Sequence, residues 1–156
     1  MNQATTDLQR KEMNTKARSI IIKRILDVNI NRAREGLRVL EDYSRFALNA
    51  KSLTGKLKTV RHLISKAVDR FDLVLARASE KDLGRPASFD KKIKARTLEN
   101  VIIANIIRVE ESARVLEEFS KVLYPASSAS FKKARFLLYD LEKEFIQKAK
   151  RHLRYN

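Results

Sequence analysis

Five polar residues recur at steps of three in the stretch "NINRAREGLRVLEDYSRF": Asn29, Arg32, Glu35, Arg38 and Glu41. The stretch "NIIRVEESARVLEEFSKV" repeats them as Asn105, Arg108, Glu111, Arg114 and Glu117. Arginine forks match phosphate oxygens, and amides match the edge of a heterocycle. Carboxylates hold magnesium or take a proton from a hydroxyl. The residues therefore suit a phosphorylated small molecule. Asn29, Asn105, Arg32, Arg108, Arg38 and Arg114 are candidate substrate and phosphate binders. Glu35 and Glu111 are candidate catalytic carboxylates, and Asp42 and Glu118 are candidate metal ligands.

A helical wheel sets these residues against an apolar face. At 100° per residue, Leu26, Ile30, Ala33, Leu37 and Leu40 share one side, with Asn29 among them. Ile102, Ile106, Val109, Ala113 and Leu116 do the same around Asn105. A buried amide without partners costs about 1–3 kcal/mol. It serves either a site or the fixing of helix register. The charged ladder has its own bland reading, a solvated face whose pairs contribute about 0.3–0.5 kcal/mol each. Two copies beside two buried-looking amides favour a site.

Two further arginines belong to the same constellation. Arg61 borders the stripe of Val60, Ile64, Val68, Phe71 and Leu75, and Arg135 borders Phe131, Leu138 and Phe145. Both join the candidate phosphate binders. Glu142 falls on the apolar stripe itself and needs a partner there, most simply an arginine. His62 points away from its stripe, as a surface residue does.

Elements that position these groups follow from the turn signals. "NAKSLTG", "SEKDLGRPASFD" and "YPASSAS" interrupt the helical period. They leave helices over about 18–48, 54–78, 96–123 and 129–153, with residues before about Ala17 frayed. Asp90 or Thr97 would cap the third helix, and Ser127 or Ser128 the fourth. A shift of 76 superposes the first and third helices, and a shift of 74 the second and fourth. The expectation is one all-α domain over 1–156, a four-helix bundle. It is built from two pseudo-symmetric pairs, 18–78 and 96–153. The polar character of the identities suggests that chemistry, more than packing, preserved them.

Composition agrees and excludes alternatives. Among 156 residues there are three glycines, two prolines and no tryptophan, which favours helix over sheet. With no cysteine, disulfides, zinc–thiolate sites and cysteine nucleophiles are ruled out. The polar N-terminus is no secretory signal, and no apolar run is long enough to span a bilayer, so a cytoplasmic protein without membrane partners is expected. A formal net charge of +15 attracts anions in general.

The residues "RILDVNINRAREGLRVLEDYSRFAL", "RHLI", "DLG" and "ANIIRVEESARVLEEFSK…FKKARFLLYDLEK" resemble a known helical domain. In some bacteria it stands in front of thiamine-phosphate synthase, in a non-classical hydroxymethylpyrimidine phosphate kinase family. Val28 and Leu83 depart from its pattern without touching the polar positions. The resemblance implies phosphoryl transfer from ATP, with magnesium, to 4-amino-5-hydroxymethyl-2-methylpyrimidine phosphate, giving the diphosphate. It also implies a stand-alone version of the domain, with a separate thiamine-phosphate synthase as a candidate partner. The chain has neither a Walker A loop nor a G-x-G-x-x-G cover, so ATP and magnesium rest on the resemblance alone. The runner-up is a non-catalytic adaptor that binds the synthase or itself, which requires an exposed apolar patch and no pocket. A basic nucleic-acid binder ranks last, since a helix-turn-helix, a basic arm and aromatic platforms are all missing.

Overall fold

Five α-helices carry the chain in a computed structural model that describes residues 3–83 and 97–155. They are α1 (Gln3–Phe46), α2 (Lys51–Lys66), α3 (Arg70–Val74), α4 (Leu98–Leu123) and α5 (Pro125–Tyr155), with a 3-10 turn at Ser79–Lys81. No strand occurs among the described residues. The apolar faces read from the sequence are the core: Leu26, Ile30, Ala33, Leu37 and Leu40 pack with Ile102, Ile106, Val109, Ala113 and Leu116. Phe131, Leu138 and Phe145 close it from α5, and Leu53, Leu57, Val60 and Ile64 from α2.

The packing forms a ring in which α1 touches α2 and α4, and α5 touches the same two. Gly36 lies against Asn105 and Val109. Asn29, two turns earlier on α1, instead shares a groove with Ser112 and Val115. The two long helices of the repeat therefore cross antiparallel. Their pseudo-two-fold passes close to Ala33 and Val109, which the duplication makes equivalent.

Helix ends depart from the sequence reading in three places. α1 begins at Gln3, so the segment expected to fray is helical. Residues 9–18 are exposed, and good helix formers sustain those turns without packing. The expected second helix stops at Lys66, although neither glycine nor proline marks the break. Tertiary bonds supply the cause. The Ser127 hydroxyl donates to the Ala67 carbonyl, and Asp72 is held by Tyr124 Oη at 2.5 Å and Lys23 Nζ at 2.9 Å. Leu75, read as apolar stripe, is consequently 70% exposed.

α5 starts directly after Tyr124, with Pro125 in its first turn, where a missing N–H costs nothing. Ser127 and Ser128 are thus inside the helix, and Ser128 donates to the Glu117 carbonyl at 3.0 Å. Thr97 caps α4 as expected by accepting from the Asn100 N–H at 3.2 Å. Asp90 lies outside the described residues. Asn49, with φ of 48°, turns the chain between α1 and α2 in the left-handed region that asparagine tolerates.

Candidate functional site

The waist between α1 and α4 is where the duplicated polar residues meet. A Cβ on Gly36 would stand 2.6 Å from Val109 Cγ2 and 3.2 Å from the Asn105 carbonyl, so the glycine permits the close crossing. Beside that crossing opens a groove of about 680 Å³, the size of a small-molecule site. Asn29 and Arg32 line it from α1, and Arg108, Glu111 and Ser112 from α4, with Ala104, Ile107 and Val115 as its apolar wall.

Each amide in this region is anchored. Asn29 Nδ2 donates to the Ile25 carbonyl at 2.8 Å, and Asn105 Nδ2 to the Val101 carbonyl at 2.7 Å. Asn105 Oδ1 also accepts from Arg108 at 3.1 Å. Among the described residues, no hydrogen bond or ion pair engages Arg32, Glu111 or Asn29 Oδ1. An arginine fork, a carboxylate and an amide oxygen are thus presented together.

Glu35 does not join them. It lines a separate depression of about 230 Å³ with Asn31, Arg34, Arg38 and Arg61. The four-residue pocket that symmetry suggests, Arg32, Glu35, Arg108 and Glu111, is therefore realised for three of its members.

Other candidates are engaged by the fold. Arg61 Nε meets Glu41 at 2.5 Å, with side chains only 13% and 7% exposed. Arg135 Nε meets Glu117 at 2.6 Å in the duplicate. This bond holds Glu117 below the usual carboxylate range and pushes Arg135 up. Arg38 and Arg114 reach the same two carboxylates from one turn before, at 3.5 and 3.8 Å. These repeated identities form a buried staple between the paired helices, which explains their recurrence by packing as well as by chemistry.

The proposed metal ligands are not brought together. Asp42 and Glu118 are symmetry equivalents on opposite sides of the antiparallel crossing, about 25 Å apart along the helix axes. Glu118 pairs with Lys121 at 2.8 Å and Arg114 at 3.0 Å, cations that hold it below its ordinary range. No group of three or more acidic or histidine side chains capable of holding a metal occurs among the described residues.

Among the described residues no arginine pairs with Glu142. It and Glu110 line a void of about 10 Å³ among Leu40, Leu57, Leu138 and Phe145. Glu110 Oε1 is buried without a hydrogen-bond partner. Burial, then the charge of Glu142, pushes Glu110 up.

A second groove, unforeseen in the sequence, runs along α1 beside the segment after α3. Its volume is about 720 Å³, and its walls include Arg24, Asp27, Asn31, Arg32, Arg77 and Leu83. Asp27, 6% exposed, takes Arg77 bidentately at 2.7 Å per bond. Asp27 lies on the flank of the apolar stripe of α1, so the helical period gives no sign of its burial, which comes from the segment after α3 and requires the partner that Arg77 supplies.

No described helix is long and apolar enough to cross a membrane. Residues 24–144 match the family model described as the ThiD2 family. Thiamine-phosphate synthase of Synechocystis sp. is 40% identical over 121 residues, which is 78% of this chain and 35% of that protein. The synthase of Nostoc sp. is 37% identical over 122 residues, 78% of this chain and 34% of the relative. That of Rhodopirellula baltica is 38% identical over 128 residues, 80% and 34% respectively. The chain spans about a third of the length of these curated relatives. No solved structure matches it.

Proposed function

We propose, from the premise that the chain belongs to the ThiD2 family, that it is the kinase converting hydroxymethylpyrimidine phosphate to its diphosphate. The family is one of thiamine biosynthesis. The observation that carries the kinase reading is the convergence of Arg32, Arg108, Glu111 and Asn29 on one groove within the matched residues.

The chemistry assigns each group a part. Arg32 and Arg108 bind the phosphate of the pyrimidine from facing helices, and Asn29 Oδ1 accepts from its amino group. The attacking atom is an oxygen of that phosphate, whose second pKa near 6 leaves it ionised at neutral pH. A base is therefore not required, and the role considered for Glu35 and Glu111 as proton acceptors falls away. Positioning and charge neutralisation are what such a transfer demands. Magnesium arrives with ATP as part of the substrate and offsets phosphate charge. Glu111, the carboxylate in the groove, is the residue that would hold it, since magnesium at phosphates needs only one or two protein carboxylates.

Lysine at position 32 or 108 keeps the charge but loses the fork. Arg32→Lys and Arg108→Lys should each weaken binding of the pyrimidine monophosphate by roughly 10-fold or more, read by calorimetry, with helix content unchanged. Unchanged affinity in both folded variants would remove the groove from the reaction. Docking onto a separate thiamine-phosphate synthase is a second reading, favoured by Ile107, 45% exposed in the wall of the groove, and by Val39 and Ile103, exposed by 37% and 47% on the same two helices. Co-elution of the two purified proteins tests it.

A further inference from the structure

The groove along α1 and the groove at the waist have one lining residue in common, Arg32. A kinase needs two anionic substrates brought end to end, with cationic charge where the phosphoryl group passes between them. We infer that the α1 groove is the nucleotide site, and that Arg32 stands at the junction between donor and acceptor. This inference rests on the kinase reading above and assigns its donor half.

The lining suits a nucleoside triphosphate. Ile21 and Leu83, 55% and 103% exposed, are aliphatic side chains of that lining. Arg24 is fixed through Nε to the Ala76 carbonyl at 2.7 Å, and its two terminal nitrogens carry no bond among the described residues. Arg77 closes on Asp27 and neutralises that acid, one of two carboxylates in the lining, the other being Asp82. From Ile21 to Arg32 the helix rises about 16 Å, the reach of an extended nucleoside triphosphate. The base sits against Ile21 and Leu83, the phosphates run past Arg24, and the γ-phosphoryl group lies at Arg32.

The step balances. A phosphate oxygen of the pyrimidine monophosphate forms a bond to Pγ, and the bond from Pγ to the β-bridging oxygen breaks. ADP leaves with that electron pair, and no proton need move. Arg32 touches the transferred group from the seam between the grooves, whereas Arg24 touches only the donor.

The test is equilibrium binding of Mg·ATP and of the pyrimidine monophosphate, each to the full chain. Ile21→Glu, Arg24→Glu and Leu83→Glu place the change on exposed positions that the core does not use. Each should raise the Kd for Mg·ATP by 10-fold or more and leave that of the monophosphate within twofold, whereas Arg32→Ala should weaken both. If the three folded variants bind Mg·ATP as the parent does, the nucleotide lies elsewhere and this inference is overturned, with the kinase reading intact. If the parent chain binds no Mg·ATP even with the monophosphate present, both fall together.

Discussion

Glu41 and Arg61, with their duplicates Glu117 and Arg135, show how one polar motif can serve the fold. Arg61→Met would strand a buried carboxylate and should lower unfolding free energy by about 3–5 kcal/mol. Adding Glu41→Leu should recover most of that loss, and substrate affinity should follow neither change; urea unfolding and calorimetry separate the two readouts. Glu110 offers a second residue-level test. Its folded pKa lies above the unfolded value, so the stability it contributes is fully present below about pH 4 and is lost as pH rises through the folded pKa. Glu110→Gln should stabilise the chain at neutral pH and give no gain in acid. A pH-independent difference would show that the carboxyl is not the cause. At this scale the sequence exposed ladder positions, because spacings of three and four fix neighbours on one helix. It could not show that Arg61 turns to Glu41, twenty residues away, or that Glu142 faces another acid. Those pairings belong to the packing of different helices.

Between elements, the decisive contact is the crossing of α1 and α4 at Gly36. Gly36→Ala forces Val109 and the Asn105 backbone away, at a cost of about 1–3 kcal/mol for overpacking. Val109→Ala should relieve only part of it, since the Asn105 carbonyl is backbone; thermal unfolding of the single and double variants measures both. Ligand affinity should fall with Gly36→Ala too, because the groove walls move. An unchanged Tm for Gly36→Ala would mean that the close approach is not fixed. Helix faces were legible here: the 3.6-residue period placed Leu26 through Leu40 and Ile102 through Leu116 in the core correctly. Helix ends were less so. The break after Lys66 depends on Ser127 reaching Ala67 and on Tyr124 reaching Asp72, and neither leaves a local mark in "SKAVDRF". Partial burial, with Asp72 beside it, pushes the Tyr124 phenol up to about 12, as a half-buried donor to a carboxylate should be.

Over the whole molecule, duplication supplies paired cations and divergence makes them unequal. Ile107 replaces Asn31, Glu110 replaces Arg34, and Ser112 replaces Gly36, so the lining of the waist groove is not two-fold symmetric. That inequality suits the asymmetric acceptor proposed for the groove. The net charge of +15 favours anionic ligands in general, the two phosphorylated substrates of the proposed reaction among them. The most direct test follows phosphorus by NMR, with the purified chain, hydroxymethylpyrimidine phosphate, ATP and magnesium, and no synthase present. The pyrimidine diphosphate and ADP should appear in equal amounts, and Arg32→Lys should slow both. A folded chain that binds the monophosphate yet yields neither product would contradict the kinase reading.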